Sequence, residues 1–269
     1  MKIYNERYMT AEAARAADHY YNQGIEYENN EDYANALEAY KKVLHFNPRH
    51  SFAYNNIGGI FCEVFHDYKT AMGYFQKAIE NNPACDSAYY NIAFIYEVEY
   101  EDYLKAEEFY RKAIQINKKF ADAYYNLGVL YQTIYKKYSN AEDFYLKTIK
   151  IDDQYVNAYN NLADIYLSLG KYDEALKNVQ KAISIESSAI FFATLGEIYL
   201  KIGEYQKAIE ACNNSINIDS KFASAYLCRG LVYEKMNDIA NALRDIHQAA
   251  EIDSEWKEEA MQHYRRLKR

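Results

Sequence analysis

The stretch from Ala121 to Ile151, ADAYYNLGVLYQTIYKKYSNAEDFYLKTIKI, carries two apolar stripes of helical period. Tyr124, Leu127, Gly128 and Tyr131 fall at i, i+3, i+4 and i+7, which is one face of an α-helix. Tyr138, Ala141, Tyr145 and Thr148 form a second face, and the short break between the two predicts an antiparallel turn. The same template fits six more times. The small residue at Gly128 recurs as Gly24, Gly58, Ala93, Ala163, Gly196 and Gly230, with successive separations of 34, 35, 35, 35, 33 and 34 along the series. The Ala141 position recurs as Ala36, Ala71, Ala106, Ala175, Ala208 and Ala242. A period near 34 predicts an array of helix pairs, each needing only its neighbours, rather than one globular core.

Glycine inside a helix costs about 1 kcal/mol relative to alanine. Its recurrence therefore predicts close approach between the two helices of a pair, with the small residue at Ala141 serving from the other side. Large aromatics around these positions fill the remaining space, which accounts for 31 tyrosines in 269 residues. Tyr33, Tyr68, Tyr103, Tyr138, Tyr172 and Tyr205 share one position in six units and read as structural ridges.

This spacing resembles the tetratricopeptide repeat: an aromatic, a large aliphatic followed by Gly or Ala, a second aromatic, then Ala with an aromatic four residues later. The resemblance implies an all-α fold, a right-handed α-solenoid (superhelix) of antiparallel helix pairs. Seven repeats are expected at 17–50, 51–85, 86–120, 121–155, 156–188, 189–222 and 223–256, after an N-terminal extension at 1–16. Thr10 is placed to cap a first helix. Pro48 and Pro83 stop the helices before them. Trp256, Ala260, Tyr264 and Leu267 form a narrow stripe, so 256–269 is expected to be a capping helix over the last repeat. Its basic end reads as a solvated helix terminus, with an anion-binding or targeting patch as the alternative.

Repeats two to four carry one extra residue between their helices: seven from Phe61 to Tyr68, against six from Tyr27 to Tyr33. The longer turns hold Phe65, Tyr100 and Tyr135, whereas repeats five and six hold Gly170 and Gly203. Either the three aromatics stack along one edge of the array or they mark a second contact surface.

Composition narrows the function. Lys plus Arg is 31 against 39 Asp plus Glu, a net charge of −8, which disfavours nucleic acid and anionic membranes as partners. There is no apolar run of about 18 residues. The first residues lack an apolar signal core, and Cys62, Cys85, Cys212 and Cys228 show no CxxC spacing. A cytoplasmic protein with reduced thiols is expected. The six histidines form no HExxH or Cys/His pattern, and no phosphate-binding glycine loop occurs. Neither a catalytic residue, nor a metal site, nor a cofactor is expected.

A binding face is suggested by the position two residues before the small one, about 200° around the helix from it. It holds Asn22, Asn56, Asn91, Asn126 and Asn161, then Thr194 and Cys228. Asparagine is a poor helix former, so propensity does not explain the series. In tetratricopeptide arrays the first helices line the concave surface, and long superhelical members carry an asparagine ladder there that pairs with a ligand's backbone. A carboxamide offers a donor and an acceptor, as a peptide group does. The alternative is that the asparagines bond to neighbouring helices or water. Tyr21, Tyr90 and Tyr125 stand one residue earlier and offer flat contact surfaces. Where some family members use a lysine to clamp a carboxylate, this chain has none of them. Asp122, Asp164 and Glu197, with Asp18, Glu28, Glu63, Glu97 and Glu234, should make the groove acidic. The expected function is a non-catalytic scaffold or adaptor that holds an extended, neutral to basic peptide segment of a partner protein. Two alternatives are a self-associating assembly subunit and the substrate-recognition or regulatory subunit of an enzyme on another chain.

Overall fold

A computed structural model describes residues 10–253 together with 258, 262, 263, 265 and 266. The sequence expectations for Met1 to Met9, and for Trp256, Ala260, Tyr264 and Leu267 of the capping helix, lie outside the described residues. The described residues are helical, without a strand. They form two compact units, Met1–Ile134 and Tyr135–Arg269.

The first unit holds α1 (Ala11–Asn29), α2 (Tyr33–Phe46), α3 (Ser51–Glu63), α4 (Tyr68–Asn81), α5 (Asp86–Val98), α6 (Tyr103–Ile116) and α7 (Ala121–Thr133). The second holds α8 (Tyr138–Ile151), α9 (Val156–Ser168), α10 (Tyr172–Ile185), α11 (Ala189–Ile202), α12 (Tyr205–Ile218), α13 (Ala223–Lys235) and α14 (Ile239–Ile252). Consecutive helices pair in antiparallel fashion, α1 with α2, α3 with α4 and α5 with α6, then α9 with α10, α11 with α12 and α13 with α14.

The pairing follows from the small positions. A Cβ built on Gly24 would stand 2.4 Å from Cε1 of Tyr40, and one on Gly58 would stand 2.6 Å from Cε1 of Phe75. Gly196 sits in the same way under Sγ of Cys212 and Gly230 under Cγ1 of Ile246. The covering residue lies 16 or 17 positions downstream, the offset at which an antiparallel pair returns on itself. Tyr40 and Phe75 are fully buried there, and Tyr110 and Tyr145 are also fully buried.

Helix starts follow the local chemistry. The Thr10 hydroxyl accepts from the Ala13 N–H at 3.1 Å, and Asp32, Asp67, Asp102 and Asp238 accept from the N–H three residues on. The ridge tyrosines Tyr33, Tyr68, Tyr103, Tyr138, Tyr172 and Tyr205 are each the first residue of a second helix. In every turn between paired positions one residue is left-handed: Glu31, His66, Glu101, Lys136, Gly170, Gly203 and Asn237. The extra residue of the longer turns is thus accommodated just before a left-handed non-glycine. Phe65 and Tyr100 lean on Phe61 and Tyr96, with ring centroids 5.5 and 5.7 Å apart. Each ring partner lies in its own repeat.

In the second unit, Asp245 of α14 is buried and accepts from Arg229 of α13 at 2.6 and 3.1 Å. Arg229 also donates to Oδ1 of Asn213 on α12, which joins three helices through one guanidinium. All four cysteines are buried and free.

Candidate functional site

The asparagine series takes its geometry from the rings that cover the glycines. In the first unit the Tyr40 ring crosses Gly24, and its hydroxyl emerges between α1 and α3. There it donates to Oε2 of Glu28 at 2.6 Å and accepts from Nδ2 of Asn56 at 3.0 Å. Tyr110 repeats this one repeat pair later, donating to Oε2 of Glu97 at 2.7 Å and accepting from Nδ2 of Asn126 at 3.0 Å. A phenol has one proton. With that proton given to a carboxylate, the hydroxyl can only accept from asparagine, so the amide must turn its NH2 toward it.

Asn56 and Asn126 also reach the preceding first helix. Asn126 donates to Oη of Tyr90 at 3.1 Å, and Asn56 lies 3.5 Å from Oη of Tyr21. Phe75 lacks a hydroxyl, and here Asn91 donates instead to Oδ1 of Asn55 at 3.1 Å. A polar line therefore runs from α1 through α3 and α5 to α7. Asn22 is exposed on α1, and Tyr125 is half-buried on α7. In the second unit Asn161 donates to Oη of Tyr145 at 3.1 Å. At the same position Thr194 and Cys228 are buried, and the Thr194 hydroxyl donates back to the Ile190 carbonyl.

The carboxylates converge around these groups. Burial, then the charge of Asp122 and those of Glu97 and Glu63, pushes the Tyr90 hydroxyl up to about 12. Burial raises Glu97 against the opposing bond from Tyr110, and burial followed by the charge of Glu28 raises Glu63. Burial and the Glu28 bond move Tyr40 far above the usual phenol range. In the second unit Asp164 of α9 and Glu197 of α11 line a concavity of about 270 Å3 with Leu167, Ile190, Ala193 and Phe222. Burial, then Glu197, raises Asp164 to about 7, with the neighbouring Thr194 opposing the shift.

The sequence pattern placed the asparagines on one helix position but missed what orients them. The readable signal was the offset of 16 residues that joins Tyr40 to Asn56, Tyr110 to Asn126 and Tyr145 to Asn161. The pairing of Arg229 with Asp245 has the same offset. No group of three or more His, Cys, Asp or Glu among the described residues could hold a metal ion. No helix there is long and apolar enough to cross a membrane.

A family model described as TPR repeat matches residues 101–134 and 196–237, and one described as tetratricopeptide repeat matches 17–50 and 156–188. A search of curated proteins gives no match. Among solved structures, YrrB, described as a TPR protein with an unusual peptide-binding site, is 22% identical with a TM-score of 0.57. The match covers 70% of this chain and 96% of that one. A chain of the APC/C hetero-tetramer Cut9–Hcn1 is similar at 18% identity and a TM-score of 0.70, over 87% of this chain and 48% of that one. A tetratricopeptide repeat protein from Parabacteroides merdae is 19% identical with a TM-score of 0.63, over 95% of this chain and all of that one. At these identities the likeness concerns the fold.

Proposed function

The chain belongs to the tetratricopeptide repeat family, a scaffold fold for protein–protein interaction, and on that premise we propose that it is a non-catalytic adaptor. Its first helices hold an extended segment of a partner protein. In the first unit the contacts are Asn22, Asn56, Asn91 and Asn126, with Tyr21, Tyr90, Tyr125 and Asp122. In the second they are Asn161, Asp164 and Glu197. The observation that supports this reading is the polar line across α1, α3, α5 and α7, in which fixed carboxamides recur once per repeat. A peptide backbone needs regularly placed polar partners, and a rigid line supplies them without an ordering cost. That YrrB is described as having a peptide-binding site agrees with this use of the fold.

A peptide array screened against the purified protein, followed by titration of the best segment, tests the reading. Replacing Asn22 and Asn91 with Ala should weaken that segment by about 0.5–1.5 kcal/mol for each bond lost. Asn22 is exposed, so its replacement should leave the melting temperature unchanged. Parent affinity in the double variant would defeat the reading. A second reading, self-association, draws on Phe65 and Tyr100, which are 51% and 49% exposed. A dimer in light scattering that Phe65→Ser and Tyr100→Ser dissolve would favour it.

A further inference from the structure

The first helices of the first unit are chemically one-sided. Helices α3, α5 and α7 carry no Lys or Arg, and α1 carries only Arg15. The other described Lys and Arg residues of this unit sit on second helices and loops, among them Lys41, Lys77, Lys105 and Arg111. Glu28, Glu63, Glu97 and Asp122 lie on the first helices, around the polar line.

The hydrogen bonds sharpen this asymmetry. Tyr40 and Tyr110 give their protons to Glu28 and Glu97, and this turns the NH2 groups of Asn56 and Asn126 inward. Asn126 has two N–H protons and two acceptors for them, Tyr90 and Tyr110. The group it has left for a ligand is its carboxamide oxygen. At Asn56 and Asn126 the ladder therefore offers an acceptor rather than a mimic of the whole peptide group. On α5, Phe94 and Val98 follow Tyr90 at four-residue steps on the same stripe and are 36% and 47% exposed.

We propose that this face docks a partner segment in which lysine or arginine residues flank a bulky apolar side chain. The cations and backbone N–H groups meet carboxylates and carboxamide oxygens, and the apolar residue covers Phe94 and Val98. A segment ending in a carboxylate, or rich in acids, meets the like charge of these carboxylates and no Lys or Arg on α3, α5 or α7. This rests on the peptide-holding function above and adds the chemistry of the partner.

The test uses the full chain and three labelled twelve-residue peptides, alike in a central Leu and Phe, with Lys, Gln or Glu at the flanking positions. The Lys peptide should bind about tenfold more tightly than the Gln peptide and weaken steeply as salt rises. The Glu peptide should bind weakest. Glu63→Gln with Asp122→Asn should remove most of the Lys preference. Glu80→Gln with Glu108→Gln, the same charge change on second helices, should leave it intact. Equal binding of the Lys and Gln peptides, or preference for Glu, would overturn the charge reading while the peptide function stood. An array on which no segment of any charge binds would overturn both.

Discussion

Gly58 and Gly59 are neighbours on α3 with opposite surroundings. A Cβ on Gly58 would press into the buried Phe75 ring at 2.6 Å, whereas one on Gly59 meets nothing within 4 Å. Gly59→Ala should therefore stabilise the protein by about 0.5–1 kcal/mol through helix propensity alone. Gly58→Ala gains the same propensity but overpacks a rigid site at a cost of about 1–3 kcal/mol, so the melting temperature should fall. Thermal melts of the two variants decide it, and a rise in both would remove the close-approach explanation. The recurring glycine was legible in the sequence as a cost without a local reason. Which of the two adjacent glycines carries that cost also followed from the period. The identity of the atom it meets required the helix pair.

At the scale of elements, the turn is where repeats differ. Each of the seven turns has one left-handed residue, and only at Gly170 and Gly203 is it glycine. A left-handed non-glycine costs about 1 kcal/mol because Cβ crowds the following carbonyl. Glu101 has φ of 49° in the turn between α5 and α6 and is exposed. Glu101→Gly should raise stability by several tenths to about 1 kcal/mol, while Gly203→Ala should lower it by a similar amount. Denaturant midpoints read both, and a destabilised Glu101→Gly would show that strain is not what the turn stores. The sequence revealed the longer turns by counting residues between aromatics. It left two uses open for Phe65 and Tyr100, because counting cannot say which ring a side chain meets. Each leans on the aromatic four residues before it.

At the scale of the molecule, charge is sorted by helix type in the first unit and couples to pH in the second. The Asp164 carboxyl, raised to about 7, favours its neutral form in the folded state. Its contribution to stability is fully present below the unfolded carboxylate range, near pH 4, and is lost as pH rises through about 7. Asp164→Asn keeps the size and the polar contact with Thr194 without the charge. It should raise the melting temperature at pH 8 and leave it nearly unchanged at pH 4. A pH-independent difference would place the cause in packing instead. The acidic character of the first helices was readable from composition at fixed offsets, since position in a repeat fixes the face of a helix. The raised carboxyl was not, because burial and the approach of Glu197 belong to neighbouring repeats.

The repeat, its helix pairs and the position of the asparagines were determined by the sequence, because helical period and a 34-residue recurrence are properties of the chain itself. Which way those asparagines point was decided by tertiary structure. Asn56 and Tyr40 meet only when α2 and α3 pack, and the direction of their bond depends on a third residue, Glu28, on α1. A hydrogen bond's polarity is set by where each proton ends up, and that is a property of three side chains from three helices rather than of any one segment.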